Sequence, residues 1–155
     1  MTTSLQPYDL TFVISAIAFN LLIAAIFIAQ KLGREKLVRI LGFLWLCLLV
    51  PLTLVFVHYR RAGSEPWILV SFGLVFLYML VELLLDYVLI IDFRSKVVTH
   101  IPYILLEYAA LFSLIAIAFE VGQTWGTVVA VCFWILMGSL VYLYWDKIFK
   151  RKKQK

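Results

Sequence analysis

The sequence predicts an all-α integral membrane protein: a compact five-transmembrane-helix bundle with its N-terminus outside and its C-terminus cytoplasmic. Composition is the first sign. Of 155 residues, 65% are hydrophobic and 15% charged, and mean hydropathy is +1.01. Soluble domains are usually about 45–50% apolar and about 25% charged. Length is the second. Five apolar runs each reach the roughly 20 residues that a helix rising about 1.5 Å per residue needs to cross about 30 Å of hydrocarbon. The third is the placing of the basic residues between and after those runs.

The predicted spans are residues 9–30, 37–58, 66–91, 99–121 and 126–148, within a single transmembrane domain 1–155 that ends in a basic tail, 149–155. Between Trp67 and Ile91, 21 of 25 positions are apolar or aromatic, interrupted by Ser71, Gly73, Glu82 and Asp86. Membrane β-strands would instead alternate over segments of about 10 residues. The segments KLGREK, YRRAGSE, DFRSKVV and GQTW separate the runs. Ser64 before Pro66 reads as a helix N-cap, and Thr99 before Pro102 reads similarly. Pro51 should bend the second span, because it cannot donate to the carbonyl four residues earlier.

Charge sets the expected direction. Lys31, Arg34, Lys36, Arg39, Arg94, Lys96, Lys147, Lys150, Arg151, Lys152, Lys153 and Lys155 share one side of a five-span chain; Arg60 and Arg61 lie on the other. The basic-rich side is normally cytoplasmic, which suggests a plasma or inner membrane. MTTSLQPYDL has no basic residue before its long apolar run, so a cleaved signal peptide is not expected. Membrane lipids are the expected surroundings, with anionic lipid at the basic tail. The basic residues flank apolar spans and form no nucleic-acid footprint. A homo-oligomer or a larger membrane complex is compatible with the spans.

The residues that hydrocarbon penalises mark the candidate site. An acid at a helix centre costs about 2.5–3.5 kcal/mol on insertion scales. Measured from Asp92, Glu82 lies about 15 Å deep and Asp86 about 9 Å. Glu107, counted from His100 on the next span, lies about 10 Å deep. Steps of three and four put Ser71, Val75, Tyr78, Glu82 and Asp86 on one stripe. The same spacing aligns His100, Tyr103, Glu107, Ala110, Leu114 and Ala118 on the next span. Short loops make these helices antiparallel neighbours, so the stripes should face each other or a shared cavity.

Glu82, Asp86, Glu107, His100, Tyr103 and Tyr78 are therefore the candidate ligand- or proton-binding residues. Arg39 and Arg94 are the candidate charge partners. Ser139, Tyr142 and Asp146 could join at the same end, although Tyr142, Tyr144 and Trp145 also read as an interfacial aromatic belt. Asn20 should point inward, towards a partner on another helix. Cys47 and Cys132 read as small buried hydrophobes. His58 and His100 fall on opposite sides, which argues against a bis-histidine haem. No HExxH, GxSxG, phosphate-binding or dinucleotide-binding motif occurs, and no motif names a cofactor.

Three functions remain open. The acids could bind or transport a cation, protonatable amine or lipid head group. They could serve a membrane-embedded lipid-modifying enzyme, with Asp86, Glu107 and His100 as acid–base groups. They could also be hydrogen-bond glue in a non-catalytic subunit or assembly factor.

Overall fold

A computed structural model describes the backbone of residues 6–88 and 97–150, and the side chains of residues 6–85 and 101–145. Helices α1 (Pro7–Lys31), α2 (Glu35–Cys47), α3 (Leu49–Arg61), α4 (Pro66–Glu82), α5 (Val97–Val121) and α6 (Gln123–Lys150) account for nearly all of it. Among the described residues there is no strand, and five helical spans are long and apolar enough to cross a membrane. The second of these spans runs from Glu35 to Arg61 and combines α2 with α3.

Local sequence explains most of the boundaries. Pro7 and Pro66 each open a helix at the first turn, where the missing N–H costs nothing. Glycine closes two others. Gly33 and Gly63 adopt φ of +66° and +72°, a region that penalises a side chain. At the end of α1, the Gly33 and Arg34 amides donate to Gln30 O at 3.1 Å and Ala29 O at 3.0 Å. At the end of α3, those of Gly63 and Ser64 donate to Arg60 O at 3.3 Å and Tyr59 O at 3.1 Å. Both are complete Schellman motifs, which satisfy the last carbonyls before the chain reverses.

Pro51 acts more sharply than a bend. The helix divides at Leu48, whose amide donates to Trp45 O, three residues back, at 3.1 Å. Pro51 has no N–H for the Cys47 carbonyl, so the ladder loses a rung where α2 ends. A second irregularity follows α4, where Leu83–Val88 is π-helical. Its wider turn adds a residue to the repeat.

Several expectations require correction. The fourth loop is far shorter than GQTW: Gly122 alone separates α5 from α6, and Gln123 is already helical. Gly126 allows that corner, because a Cβ there would stand 2.3 Å from the Phe119 ring. Ser64 closes α3 instead of capping α4, whose N-cap is Glu65 with no side-chain cap. Thr99 and Pro102 both lie inside α5, which starts at Val97. Cys47 is exposed, whereas Cys132 is buried. An apolar run has the same character on its lipid face as on its core face, and hydropathy cannot separate them.

The first span is the centre of the bundle. Half of its most apolar window (50%) is buried, against 22–33% in the other four spans. Helix α1 packs most extensively on α6 and also meets α2, α3 and α5; α4 and α5 pair, as do α5 and α6. Phe12, Ala16, Phe19 and Ile23 on α1 meet Leu52, Phe72, Val75, Leu114 and Leu136 in one continuous core. Large apolar side chains also point outward, including Phe43 at 65% exposure and Trp134 at 70%. Such a coat would be an aggregation hazard in water and is ordinary against lipid.

Candidate functional site

The densest polar constellation lies between α4 and α5. Tyr78 and Glu82 are one turn apart on α4, and Tyr103 and Glu107 are one turn apart on α5. Because the two helices pack together, Tyr78, Tyr103 and Glu82 meet, and Glu107 lines the same cavity. The Tyr103 hydroxyl donates to Glu82 Oε2, and the Tyr78 and Tyr103 hydroxyl oxygens are 3.4 Å apart. Both tyrosines are nearly enclosed, at 3% and 8% exposure, and Glu107 lies within electrostatic reach of both. Buried polar groups need such partners, since an unmatched carboxylate in low dielectric is strongly disfavoured.

Beside this constellation is a cavity of about 230 Å³. Its walls come from α1 (Ile23, Ile26, Phe27, Gln30), α2 (Val38, Gly42, Trp45), α4 (Tyr78, Glu82), α5 (Tyr103, Ile104, Glu107, Tyr108) and α6 (Met137, Leu140, Leu143, Tyr144). None of the described lining comes from α3. Gln30 and Val38 flank the first loop, so the cavity occupies the half of the bundle nearest that loop and the C-terminal end of α6. Tyr108 ties two walls together by donating to Met137 Sδ at 3.4 Å.

Aromatic packing closes the inner end of the cavity. The Trp45 ring stands 5.0 Å from Phe19 and 5.6 Å from Tyr78, centroid to centroid. Beyond this layer Phe72 packs against Phe12, Phe56 and Tyr59, at 5.7, 5.8 and 5.9 Å. The Tyr59 hydroxyl donates to Asp9 Oδ1 at 2.6 Å, joining α3 to α1 at the far end. His58 stacks on Tyr8, with ring centroids 3.8 Å apart and planes 10° from parallel.

The sequence-predicted residues divide three ways. Tyr78, Glu82, Tyr103 and Glu107 come together around one cavity. Arg94 lies outside the described residues, as do the side chains of Asp86, in the π-helical segment, and His100, in the first turn of α5. Arg39 is exposed on α2 and is not among the described lining; no ion pair joins it to a described residue. Val38, Gly42 and Trp45 present the inward face of that helix, and Arg39 falls on another. Ser139 is buried but donates to Leu136 O of its own helix at 2.7 Å and does not line the cavity. Tyr142 is exposed, with Lys31 Nζ 5.5 Å from its ring centroid, and the Asp146 side chain lies outside the described residues.

Asn20 points inward as expected and differs only in its partner. It is fully buried, but its Nδ2 donates to Ala16 O of its own helix at 2.9 Å and Oδ1 has no partner. The wall residues Gln30, Trp45, Tyr108 and Tyr144 were not predicted as part of the site. A faint signal exists for Trp45, in the i, i+4, i+7 spacing of Val38, Gly42 and Trp45 around a small residue. Among the described residues, no group of three or more His, Cys, Asp or Glu side chains could hold a metal ion. Comparison with protein families, curated proteins and solved structures finds no match to this chain.

Proposed function

We propose that this chain is a membrane-embedded binding and transport protein for a cationic ligand, which enters the cavity from the end carrying the first loop. One observation carries the reading: Glu82 and Glu107, from facing helices, line a common internal cavity large enough for a guest. Acids inside a membrane span are costly, and they usually mark ligand, ion or proton sites. With the N-terminus outside and the C-terminus cytoplasmic, as the basic residues favour, that end faces the cytoplasm. The aromatic layer of Phe19, Trp45 and Tyr78 then separates the bound ligand from the opposite side. Transport requires that layer to part. The interruption at Leu48, three residues from Trp45, gives α2 a place to pivot independently of α3.

The hydrogen bond from Tyr103 to Glu82 favours a second reading, in which the same groups only fasten α4 to α5. A fastening alone gives no reason for the adjoining cavity or for the position of Glu107 on its wall. The two readings separate in proteoliposomes. Under the cation reading, the wild-type chain takes up labelled methylammonium or rubidium, and a Glu82→Gln/Glu107→Gln double variant that keeps its elution profile does not. Equal uptake by the wild type and the double variant would leave only the fastening role.

A further inference from the structure

We infer that the cavity's ligand is an organic ammonium ion, a protonated amine with a short apolar substituent, in preference to an inorganic cation. This inference rests on the cation-binding reading and narrows it to one class. Two carboxylates, those of Glu82 and Glu107, are among the described lining. A carboxylate has room for roughly four hydrogen bonds, so Glu82 can accept from Tyr103 and from an ammonium at once. Calcium and magnesium demand six or more oxygen ligands at short range. The described residues contain no group of three acids, cysteines or histidines that could begin such a shell.

The rest of the lining suits an organic cation. Trp45, Tyr108 and Tyr144 bring aromatic rings to the walls. Aromatic faces attract ammonium groups and reward a poorly hydrated cation over a strongly hydrated one. Ile23, Phe27 and Leu140 supply an apolar surface on which the substituent can leave water. Trp45 is 3% exposed and its ring packs on Phe19 and Tyr78, which fixes an aromatic surface on this part of the wall. Size sets the last limit. At about 230 Å³ the cavity is smaller than pockets for drug-sized ligands, which run about 300–1,000 Å³, so the substituent is a few carbons long.

The same ammonium chemistry occurs in soluble amines and in ethanolamine head groups of lipids. The test uses the full chain in phosphatidylglycerol nanodiscs, titrated calorimetrically with n-butylammonium, rubidium, magnesium and neutral n-butanol. We expect n-butylammonium to bind saturably and at least about tenfold more tightly than n-butanol. Rubidium and magnesium at equal concentration should not displace it. Tyr108→Leu should weaken binding roughly 2- to 30-fold, the range of a cation–aromatic contact, and Tyr108→Phe should restore most of the loss. Thermal unfolding of both variants checks that the bundle is intact.

Repeating the titration in nanodiscs of fixed phosphatidylglycerol content, diluted with either phosphatidylethanolamine or phosphatidylcholine, keeps surface charge constant. Comparing the ethanolamine arm with the choline arm identifies the source. A weaker apparent affinity marks the lipid head group as a competing occupant, and an unchanged one marks a soluble amine; both support the ammonium class. Rubidium binding that depends on Glu82 and Glu107, without n-butylammonium binding, overturns this inference and leaves the cation reading standing. Equal binding of n-butanol also overturns it. Binding of none of the cations defeats both.

Discussion

Removing one oxygen atom tests whether the Tyr103–Glu82 contact holds α4 to α5. Tyr103→Phe keeps the ring that stands 5.8 Å from the Tyr78 ring and deletes the hydroxyl that donates to Glu82. The second contact of that hydroxyl, to Tyr78 at 3.4 Å, is at the long edge of hydrogen bonding and contributes little. Interhelical hydrogen bonds in membrane proteins average about 0.6 kcal/mol and reach about 1.7. A carboxylate acceptor places this one in the upper part of the range. The expected coupling is therefore about 1–1.7 kcal/mol, roughly a 5- to 20-fold change in the unfolding equilibrium. It is read from a double-mutant cycle of Tyr103→Phe with Glu82→Met, using reversible unfolding in nanodiscs. The methionine preserves volume and removes the acceptor; other contacts of Glu82 cancel within the cycle. Additivity within about 0.3 kcal/mol would show that the bond does not fasten the helices, and the argument from it would fail.

Three further outcomes follow from the geometry. Gly126→Ala should destabilise the bundle by about 1–3 kcal/mol. Its methyl would stand 2.3 Å from the Phe119 ring, where carbon atoms normally keep about 3.5–4.0 Å, and an unchanged thermal midpoint would contradict this. Pro51→Ala supplies a donor for the Cys47 carbonyl, so amide exchange across residues 47–51 should slow; unchanged exchange would mean that packing, not the proline, interrupts the helix. Tyr59→Phe removes the bond to Asp9 at the far end of α1 and should cost about 1 kcal/mol in the same unfolding assay, with cavity ligand affinity unaffected.

Periodicity reached a large part of the candidate site. Tyr78 and Glu82, and likewise Tyr103 and Glu107, are spaced by four, and a helix puts such pairs on one face whatever surrounds it. The short connection between the spans and the hydrocarbon cost of the acids then pointed the two faces at each other. The same reasoning put Arg39 within reach of Asp86; Arg39 stands exposed, off the described cavity wall, and the Asp86 side chain lies outside the described residues. Periodicity passed over Trp45 and Tyr108, since aromatic residues are ordinary both in a bundle interior and on its lipid surface.

The five apolar spans are legible in the chain because hydrocarbon thickness and helical rise are constants that any run of residues can be measured against. Which side of each span turns inward is another matter. In lipid, both sides are apolar, so the buried Phe19 and the exposed Phe43 carry the same local signature. The central place of α1, the exposed position of Cys47 and the five-helix wall of the cavity follow from packing between distant segments. That packing is driven by shape and by the pairing of a few polar groups, and hydropathy records neither.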